Sequence, residues 1–359
     1  MKFLRAHKKL HIWLGITIIV LILFLLLRYN RPVMTFWVDH ISWSIVRVLQ
    51  WITRFAPFSV AEVMLVAAVI LPIALLIRGI RRMIRKRVTI KNGLYRIFVG
   101  FLAMVLTVLA SFSLFWGANY YADGFQERSG IFAEPGTVDD LERVTRIFAQ
   151  GLQDTAHLVE RDAEGVFAAS IEQIFAESVY VFYDLEAVFP FLAHRDFPPK
   201  RLLSSPIWAM TAYTGFYFPF TGEANINTLA PRSQIPATVL HEFTHQRGIA
   251  QENEANFVAI LAGIKQDNPT FAYSSWLMGY LYLSNALHRA DPDRFRAIQD
   301  TLPAYVHADF ADMRAYRERR NPVVAQVMDN LNDAMLRGYG EESGIQSYGE
   351  VVDLLLAYF

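Results

Sequence analysis

The chain has 359 residues, of which 53% are hydrophobic and 19% are charged, and it contains no cysteine. The absence of cysteine excludes a disulfide framework, a thiolate metal site and a cysteine nucleophile. The formal net charge of zero hides an uneven division: residues 1–118 carry 16 basic and two acidic side chains, and residues 119–359 carry 18 basic and 32 acidic ones. The apolar fraction exceeds the roughly 45–50% of soluble domains, which predicts a membrane part. An acidic second half argues against nucleic acid as a partner.

Three apolar runs near the N-terminus predict membrane-spanning helices at about residues 10–27, 60–77 and 97–118. The first run is near the minimum length for crossing a hydrocarbon core of about 30 Å. In the second span the strictly apolar run is 63–77, and Ser59 and Glu62 precede it in the pattern of a capping box, which adds a helical turn before it. A cleavable signal peptide is the alternative for the first run, but no small-residue cleavage site follows it.

Basic side chains flank these runs unevenly and predict the orientation of the chain. They lie before the first run, including Lys2 and Arg5, and throughout residues 78–96, where there is no acidic residue. By the positive-inside rule both segments are expected in the cytoplasm. Residues 1–118 are thus predicted to form a membrane domain with a cytoplasmic N-terminus, and residues 119–359 an extracytoplasmic domain.

The loop between the first two runs contains an amphipathic segment at about residues 36–54. Its apolar side chains share one helical face, which includes Trp37, Ile45, Val48 and Ile52. This pattern is typical of a helix lying in the membrane interface. A connector packed against the second domain remains an equal alternative.

The second half is predicted to be mostly helical, so the expected fold class is mostly α with a small strand or hairpin. The periodic segments are 137–153, 168–182, 234–247, 252–264, 274–288, 292–300 and 322–336. Residues 213–227 are aromatic and interrupted by glycine, which favours a short strand or ordered loop. The stretch 218–227 is a candidate edge strand for pairing with a peptide, with Phe218, Gly222 and Asn225 as substrate contacts. A packed aromatic hairpin is equally open.

The motif that indicates chemistry is HEFTH, residues 241–245. Positions i and i+4 share one face of a helix, so His241 and His245 can reach the same Zn²⁺. Glu242 is then placed beside the metal as the general base for its water. Pro236 suits the first turn of this helix and Gly248 its end.

A catalytic zinc needs a third protein ligand, and Glu252 and Glu254 are the candidates. They lie about 200° apart around a helix, so only one can face the metal. Glu252 is preferred because Asn256, four residues later, could orient a ligand histidine from the second coordination layer. A third histidine after Gly248 would stand at position 251, but that residue is Gln251, and glutamine is a poor zinc ligand.

Stabilisers of a developing oxyanion are usually Tyr, His or Arg. The sequence offers several and does not choose among them: Tyr213, Tyr217, Tyr273, Tyr280, His288 and His307. Gln246 and Arg247 follow the second ligand and could hold carboxylates of the site, although a surface role is as probable.

The motif HExxH followed by ENEANFVA resembles the gluzincin metallopeptidases, and is similar to the membrane CAAX-type proteases and to bacterial peptidases that cleave phage-type repressors. Three spans with FPFTGEANIN, HEFTHQRGIAQENEANF and the terminal NDAMLRGYGEESGIQSYGEVVDLLLAY resemble a bacterial membrane family known only as a domain of unknown function. This resemblance covers most of the chain and implies a zincin-like domain with a zinc site. Together with the basic flanks of the spans, it also implies a bacterial inner-membrane protein. The gap of six residues between His245 and Glu252 is shorter than in most gluzincins.

The sequence therefore predicts a membrane-anchored zinc metallopeptidase that hydrolyses peptide bonds on the extracytoplasmic side, with zinc-bound water activated by Glu242. The alternatives are a zinc hydrolase of a non-protein amide, in the cell wall or a lipid, and a catalytically silent scaffold or sensor. The expected partners are the lipid bilayer and a peptide or protein substrate, whose identity stays open with the oligomeric state. Catalysis within the bilayer is not expected, because the motif lies more than 120 residues after the third run.

Overall fold

The structure is a computed structural model that describes residues 7–211 and 213–359. Lys2 and Arg5, which entered the orientation argument, lie outside the described residues. Three of the helices are long and apolar enough to cross a membrane: α1 (Lys8–Leu27), α4 (Val60–Ile84) and α5 (Ile90–Phe115). The three predicted spans are thus confirmed. The helices α4 and α5 run past their apolar stretches, so that the basic segment lies largely on their ends and only residues 85–89 connect them.

Between α1 and α4 the chain forms α2 (Arg31–Trp37), a π-helical turn (Val38–Ser42) and α3 (Trp43–Thr53). One line of side chains at every fourth position faces the protein and is buried: Met34, Val38, Ser42, Val46 and Gln50. The opposite face leaves large apolar side chains exposed, namely Phe36, Ile45, Val48, Trp51 and Ile52. The segment therefore packs on the second half of the chain and also presents an apolar outer face, as expected for a helix in the membrane interface.

The second half is mostly helical, as predicted. Its helices are α6 (Phe125–Ser129), α7 (Val138–Thr155), α8 (Ile171–Glu177), α9 (Tyr183–Val188), α10 (Ser205–Trp208), α11 (Ile235–Gln246), α12 (Glu252–Ile264), α13 (Pro269–Ala290), α14 (Pro292–Gln299), α15 (Ala304–Glu318), α16 (Pro322–Gly338) and α17 (Val351–Tyr358). Short 3₁₀ turns lie at Gly117–Tyr121, Ser178–Tyr180, Pro190–Leu192 and Gly344–Glu350. The main core surrounds α11, α12 and α13 and is formed by buried residues between positions 125 and 355.

A small sheet lies beside α11. Its strands are β1 (Lys200–Arg201), β2 (Gly215–Phe218) and β3 (Glu223–Ile226), in the order β1-β3-β2. β3 runs parallel to β1 and antiparallel to β2. The prediction that residues 218–227 form an edge strand is therefore wrong. β3 is the central strand, with neighbours on both sides, so its backbone is not free to pair with a peptide.

The beginning of the membrane helix α4 is anchored to β3. The Glu223 carboxylate accepts hydrogen bonds from the first two backbone N–H groups of α4, at 3.2 and 2.8 Å. The Ser59 hydroxyl accepts from the Glu62 backbone at 3.0 Å and donates to the Asn225 side chain at 2.6 Å. The Glu62 carboxylate accepts from the backbone of residues 203 and 204. Only half of the expected capping box is thus formed, because the Glu62 carboxylate accepts from residues 203 and 204 instead of from the Ser59 backbone N–H.

Gly222 closes the turn between β2 and β3 with a φ of +68°, where a Cβ would lie 2.7 Å from the Cβ of Gln50. We expect Gly222→Ala to lower the stability of the protein by about 1–3 kcal/mol, because alanine is strained at positive φ and would push α3 away. Thermal unfolding of the full-length protein in detergent measures the effect. Gly338→Ala is the control, since a Cβ there meets nothing within 4 Å. Equal unfolding midpoints for the two variants would contradict this account of the turn.

Candidate metal centre

The HEFTH motif lies on α11, and all twelve residues of this helix are buried. Pro236 occupies the first turn, where its missing N–H costs nothing. The helix stops just before Gly248, whose φ of +85° turns the chain toward the start of α12. This sharp turn allows a gap of only six residues to bring Glu252, the first residue of α12, back to the histidines.

Three potential ligand atoms meet at this point. The Nε2 atoms of His241 and His245 are 3.0 Å apart. The Oε2 atom of Glu252 lies 3.2 Å from the first and 3.4 Å from the second. These three side chains form a cluster that can hold a metal ion. Gln251 and Glu254 are not part of it.

The cluster passes a test for fit to a small divalent ion. For bonds of about 2.0–2.1 Å, neighbouring ligands of a tetrahedral ion stand roughly 3.3 Å apart, close to the separations found here. The Nδ1 atom of His245 is 2.7 Å from the Ile249 carbonyl, which fixes the ring and leaves Nε2 for the ion. Glu252 Oε2 is buried, and no donor in the described chain is aligned with it. A bound cation would satisfy this atom.

Without a metal, the electrostatics of the cluster favour a charged carboxylate and a charged imidazole. Burial opposes the charge on His245, but the neighbouring Glu252 carboxylate outweighs it and raises the pKa of His245 to about 9. Burial likewise opposes the charge on Glu252, and the two histidines overcome it and lower the pKa of Glu252 below its usual range. Without a metal, the site therefore contains a buried ion pair between His245 and Glu252.

Glu254, the alternative third ligand, has a different role. Its Oε2 atom accepts a hydrogen bond from the Phe125 backbone at 2.6 Å, and its Oε1 atom accepts one from the Gln126 side chain at 3.1 Å. It therefore holds the first turn of α6, on the side of α12 away from the histidines.

Glu242 lies at the edge of a cavity next to the cluster. It is only 4% exposed, and burial raises the pKa of its carboxyl despite the two nearby histidines. A Cβ added to Gly215, on β2, would be 3.0 Å from Glu242 Oε1. Glycine at this position thus allows β2 to run directly beside the carboxylate.

The cavity has a volume of about 360 Å³ and is bordered by both His241 and Glu242. Three tyrosines, Tyr213, Tyr282 and Tyr348, contribute to its walls. The Tyr213 hydroxyl lies 3.3 Å from Asp329, and burial together with that carboxylate raises its pKa to about 12. Burial and the charge on Glu252 also raise the pKa of Tyr348. Both hydroxyls are therefore neutral hydrogen-bond donors at physiological pH.

Of the six residues considered as oxyanion stabilisers, Tyr213 borders this cavity and the other five do not. Tyr217 is half-buried, with its ring centroid 6.3 Å from that of His245. Tyr273 and Tyr280 belong to the main core. The His288 and His307 rings pack against phenylalanines outside the cavity.

The other predicted supporting residues are also placed differently. Asn256 borders the cavity, but its amide donates to the Tyr282 hydroxyl and the Tyr348 carbonyl rather than to a histidine. Phe218, Gly222 and Asn225 do not border the cavity. Asn225 is instead fully buried and bonded to Ser59 at the start of α4.

Arg247 and Gln246 fix the end of α11 rather than the carboxylates of the cluster. The Arg247 guanidinium is buried, contacts Asp196 at 2.7 Å and Glu186 at 2.8 Å, and lies 3.6 Å above the Phe182 ring. The Gln246 side chain donates to the Gly222 carbonyl at 2.8 Å. A surface role for Arg247 is therefore excluded.

Two residues that line the cavity, Asp329 and Tyr348, were not predicted from the sequence because they are far from the HEFTH motif. Asp329 is on α16, and Tyr348 lies in the 3₁₀ turn before α17, about a hundred residues after HEFTH. Tyr348 stacks on His241 at 6.3 Å between ring centroids. Tyr348 lies in the terminal segment that resembles the uncharacterised membrane family. That resemblance is the sequence feature that could have pointed to Tyr348 as part of the site.

Comparison with known proteins gives one finding about family. Residues 39–356 match the sequence model of a family described as "Protein of unknown function (DUF3810)". No curated protein and no solved structure matches the chain.

Proposed function

The chain belongs to the DUF3810 family, whose function is unknown, and we propose from its site that it is a membrane-anchored zinc metallopeptidase acting on peptide bonds at the extracytoplasmic surface. One observation carries the proposal. A buried carboxylate, Glu242, lies beside a three-residue cluster that can hold a metal ion, and both border the same cavity.

Zinc is the metal that this donor set favours. Two imidazoles and one carboxylate are the protein ligands of many catalytic zinc sites, which leave one coordination position open. A purely structural zinc usually has four protein ligands, whereas the described chain supplies three at this cluster: His241, His245 and Glu252. When bound, zinc would supply Lewis acidity toward water and the substrate carbonyl.

The other steps belong to side chains of the chain itself. Glu242 takes a proton from the attacking water and returns it to the leaving amine nitrogen. Tyr348 borders the cavity with a neutral hydroxyl group, which can donate a hydrogen bond to the oxygen that gains negative charge. The Tyr213 hydroxyl can do the same after turning from Asp329, to which it donates in this structure. The main chain of β2 beside Gly215 offers the nearest strand for a bound peptide, since in the described chain β2 pairs only with β3.

The orientation is inferred from charge. The sheet contacts the N-terminal end of α4, and Tyr339 contacts Ser113 near the C-terminal end of α5. The basic residues between 78 and 96 lie at the opposite ends of these two helices. If that basic end is cytoplasmic, as the positive-inside rule predicts, the metal cluster faces the extracytoplasmic side of the inner membrane.

The site lies close to the membrane surface although it is distant from the spans in sequence. Trp116 directly follows α5, and its ring meets that of His245 edge to face at 5.3 Å. Trp43 of α3 donates to the Gln246 carbonyl at 2.9 Å. The proposed substrates are therefore peptide segments close to the bilayer.

Metal removal tests this function in the purified full-length protein. We expect hydrolysis of a membrane-reconstituted protein with an exposed juxtamembrane segment, loss of that hydrolysis with a chelator, and its recovery on addition of zinc. A soluble unfolded protein is the comparison substrate and should be cleaved more slowly. Cleavage unaffected by chelation, or none of either substrate by zinc-loaded protein, would contradict the proposal.

A further inference from the structure

A second cavity, of about 480 Å³, lies away from the metal cluster, where the chain passes from α3 to α4. On one side it is bordered by residues 54–57, which connect the interfacial helix to the membrane helix. On the other side it is bordered by residues 197–201, which lead into β1, and by Phe175. No residue borders both this cavity and the one beside Glu242.

Three basic side chains border this cavity: Arg54, Lys200 and Arg201. Neither Arg54 nor Lys200 forms an ion pair within the described residues. Lys200 donates to the backbone carbonyls of Arg54 and Ala56 instead. Arg201 pairs with Glu172, whose side chain is 74% exposed. Arg54 and Lys200 thus bring positive charge to the cavity that no ion pair in the described residues neutralises, although the Glu223 carboxylate also acts electrostatically on Lys200.

The Arg54 guanidinium is held in place by aromatic rings rather than by acids. Its carbon lies 4.5 Å from the ring centroid of Phe55 and 5.1 Å from those of Trp51 and Phe197. Its Nε atom is buried and has no hydrogen-bond partner in the described chain. A fixed cation with an unsatisfied donor is suited to an anionic oxygen acceptor.

The cavity stands at the level of the lipid head groups. The membrane helix α4 begins at Val60, four residues after Ala56. Beside the cavity, Trp51, Phe55 and Phe58 are 49%, 66% and 46% exposed. Aromatic side chains of this kind concentrate where the bilayer meets water, with head-group phosphates at the same depth.

We propose that this cavity binds the phosphate head group of an anionic phospholipid. Arg54 and Lys200 contact the phosphate oxygens, Arg201 adds positive charge at the rim, and the exposed aromatic residues lie along the acyl chains. Basic pockets beside membrane helices recognise anionic lipids by this chemistry. A free phosphate ion shares the charge but not the acyl chains, so the lipid is the favoured source.

The test is lipid titration of the full-length protein in detergent, followed by native mass spectrometry. The probes are phosphatidylglycerol, zwitterionic phosphatidylcholine and inorganic phosphate. We expect Arg54→Gln and Lys200→Gln each to weaken phosphatidylglycerol binding about fivefold, and the double variant about 20-fold or more. Phosphatidylcholine binding should not change.

Matched controls separate this site from general attraction of anionic lipids. Arg314→Gln and Lys265→Gln remove exposed cations elsewhere in residues 119–359, the part of the chain that contains Lys200. Arg82→Gln with Arg85→Gln removes two exposed cations near the far end of α4. Thermal unfolding of each variant without lipid shows whether a substitution damages the fold. If Lys200→Gln lowers the unfolding midpoint, the lipid-binding result of Arg54→Gln alone decides between the outcomes.

Each outcome has a definite meaning. Loss of binding in Arg54→Gln with retention in the controls supports the lipid site. Unchanged phosphatidylglycerol binding in Arg54→Gln and in the double variant overturns it. Inorganic phosphate that binds as tightly as phosphatidylglycerol, and depends on the same residues, overturns the lipid as the ligand.

Discussion

Replacing Glu242 by glutamine is expected to lower peptide hydrolysis by about 10²- to 10⁴-fold, the usual contribution of a general base. The substitution keeps the size of the side chain, so β2 can still pass beside it at Gly215. Glutamine cannot accept a proton from water at neutral pH. The measurements are kcat/KM with the juxtamembrane substrate and metal content by elemental analysis, both on the full-length protein.

The metal content distinguishes loss of the general base from loss of the metal. Glu242 is not one of the three residues of the cluster, so the variant should bind as much zinc as the wild type. Tyr217→Phe is a useful control, because it alters a half-buried side chain near His245 without removing a proposed proton acceptor. A Glu242→Gln protein with normal zinc and normal hydrolysis would rule out this carboxylate as the base.

The sequence predicts those parts of the site that depend on local spacing. The four-residue spacing of His241 and His245 places them on one helical face, and the predicted helix at 252–264 corresponds to α12. The helical angle between Glu252 and Glu254 predicts that only one of them faces the metal, and the structure places Glu252 beside the histidines and Glu254 at α6. The preference for Glu252 relied on a contact between Asn256 and a histidine, and that contact is not found. The predicted ligand therefore agrees with the structure, but the reason given for choosing it does not.

Features that depend on distant pairing were not accessible from the sequence. Strand order cannot be deduced from one short aromatic stretch at residues 213–227, and β1, which makes β3 central, contains only two residues. Tyr348 reaches His241 through the packing of the C-terminal segment, which no periodicity near the motif could reveal. Arg247 pairs with Asp196 and Glu186, which lie 51 and 61 positions before it in the sequence. Its burial follows from those partners rather than from its own neighbours.

The position of the site near the membrane also depends on tertiary contacts. The long separation in sequence between HEFTH and the third span argued against catalysis within the bilayer, but it did not predict how far the site lies from the membrane helices. In the structure, Glu223 caps α4 and the Trp116 ring contacts His245, so the sheet and α11 rest on the ends of the membrane helices. A metal cluster close to the ends of the membrane helices agrees with the two proposed ligands, a juxtamembrane peptide and an anionic phospholipid, because both are found at the membrane surface.

The clearest test of the metal centre compares two glutamates that are two residues apart. We expect Glu252→Gln to weaken zinc binding by at least about 100-fold, because an amide is a poor ligand and only two histidines remain. Glu254→Gln should bind zinc normally and lose about 1–2 kcal/mol of stability, because it weakens the hydrogen bonds that hold the first turn of α6. Elemental analysis measures the metal and thermal unfolding in detergent measures the stability.

The two substitutions are chemically identical and stand on the same helix, so each serves as the control for the other. Their expected effects are opposite: one removes the metal from a folded protein, and the other leaves the metal in a less stable one. Zinc lost in Glu254→Gln but retained in Glu252→Gln would reverse the roles of the two carboxylates. Zinc retained in both would mean that His241 and His245 bind the metal with a different third ligand. The turn at Gly248 brings Glu252, the first residue of α12, to the histidines. Loss of zinc in Glu252→Gln alone would therefore show that this short connection forms the metal site.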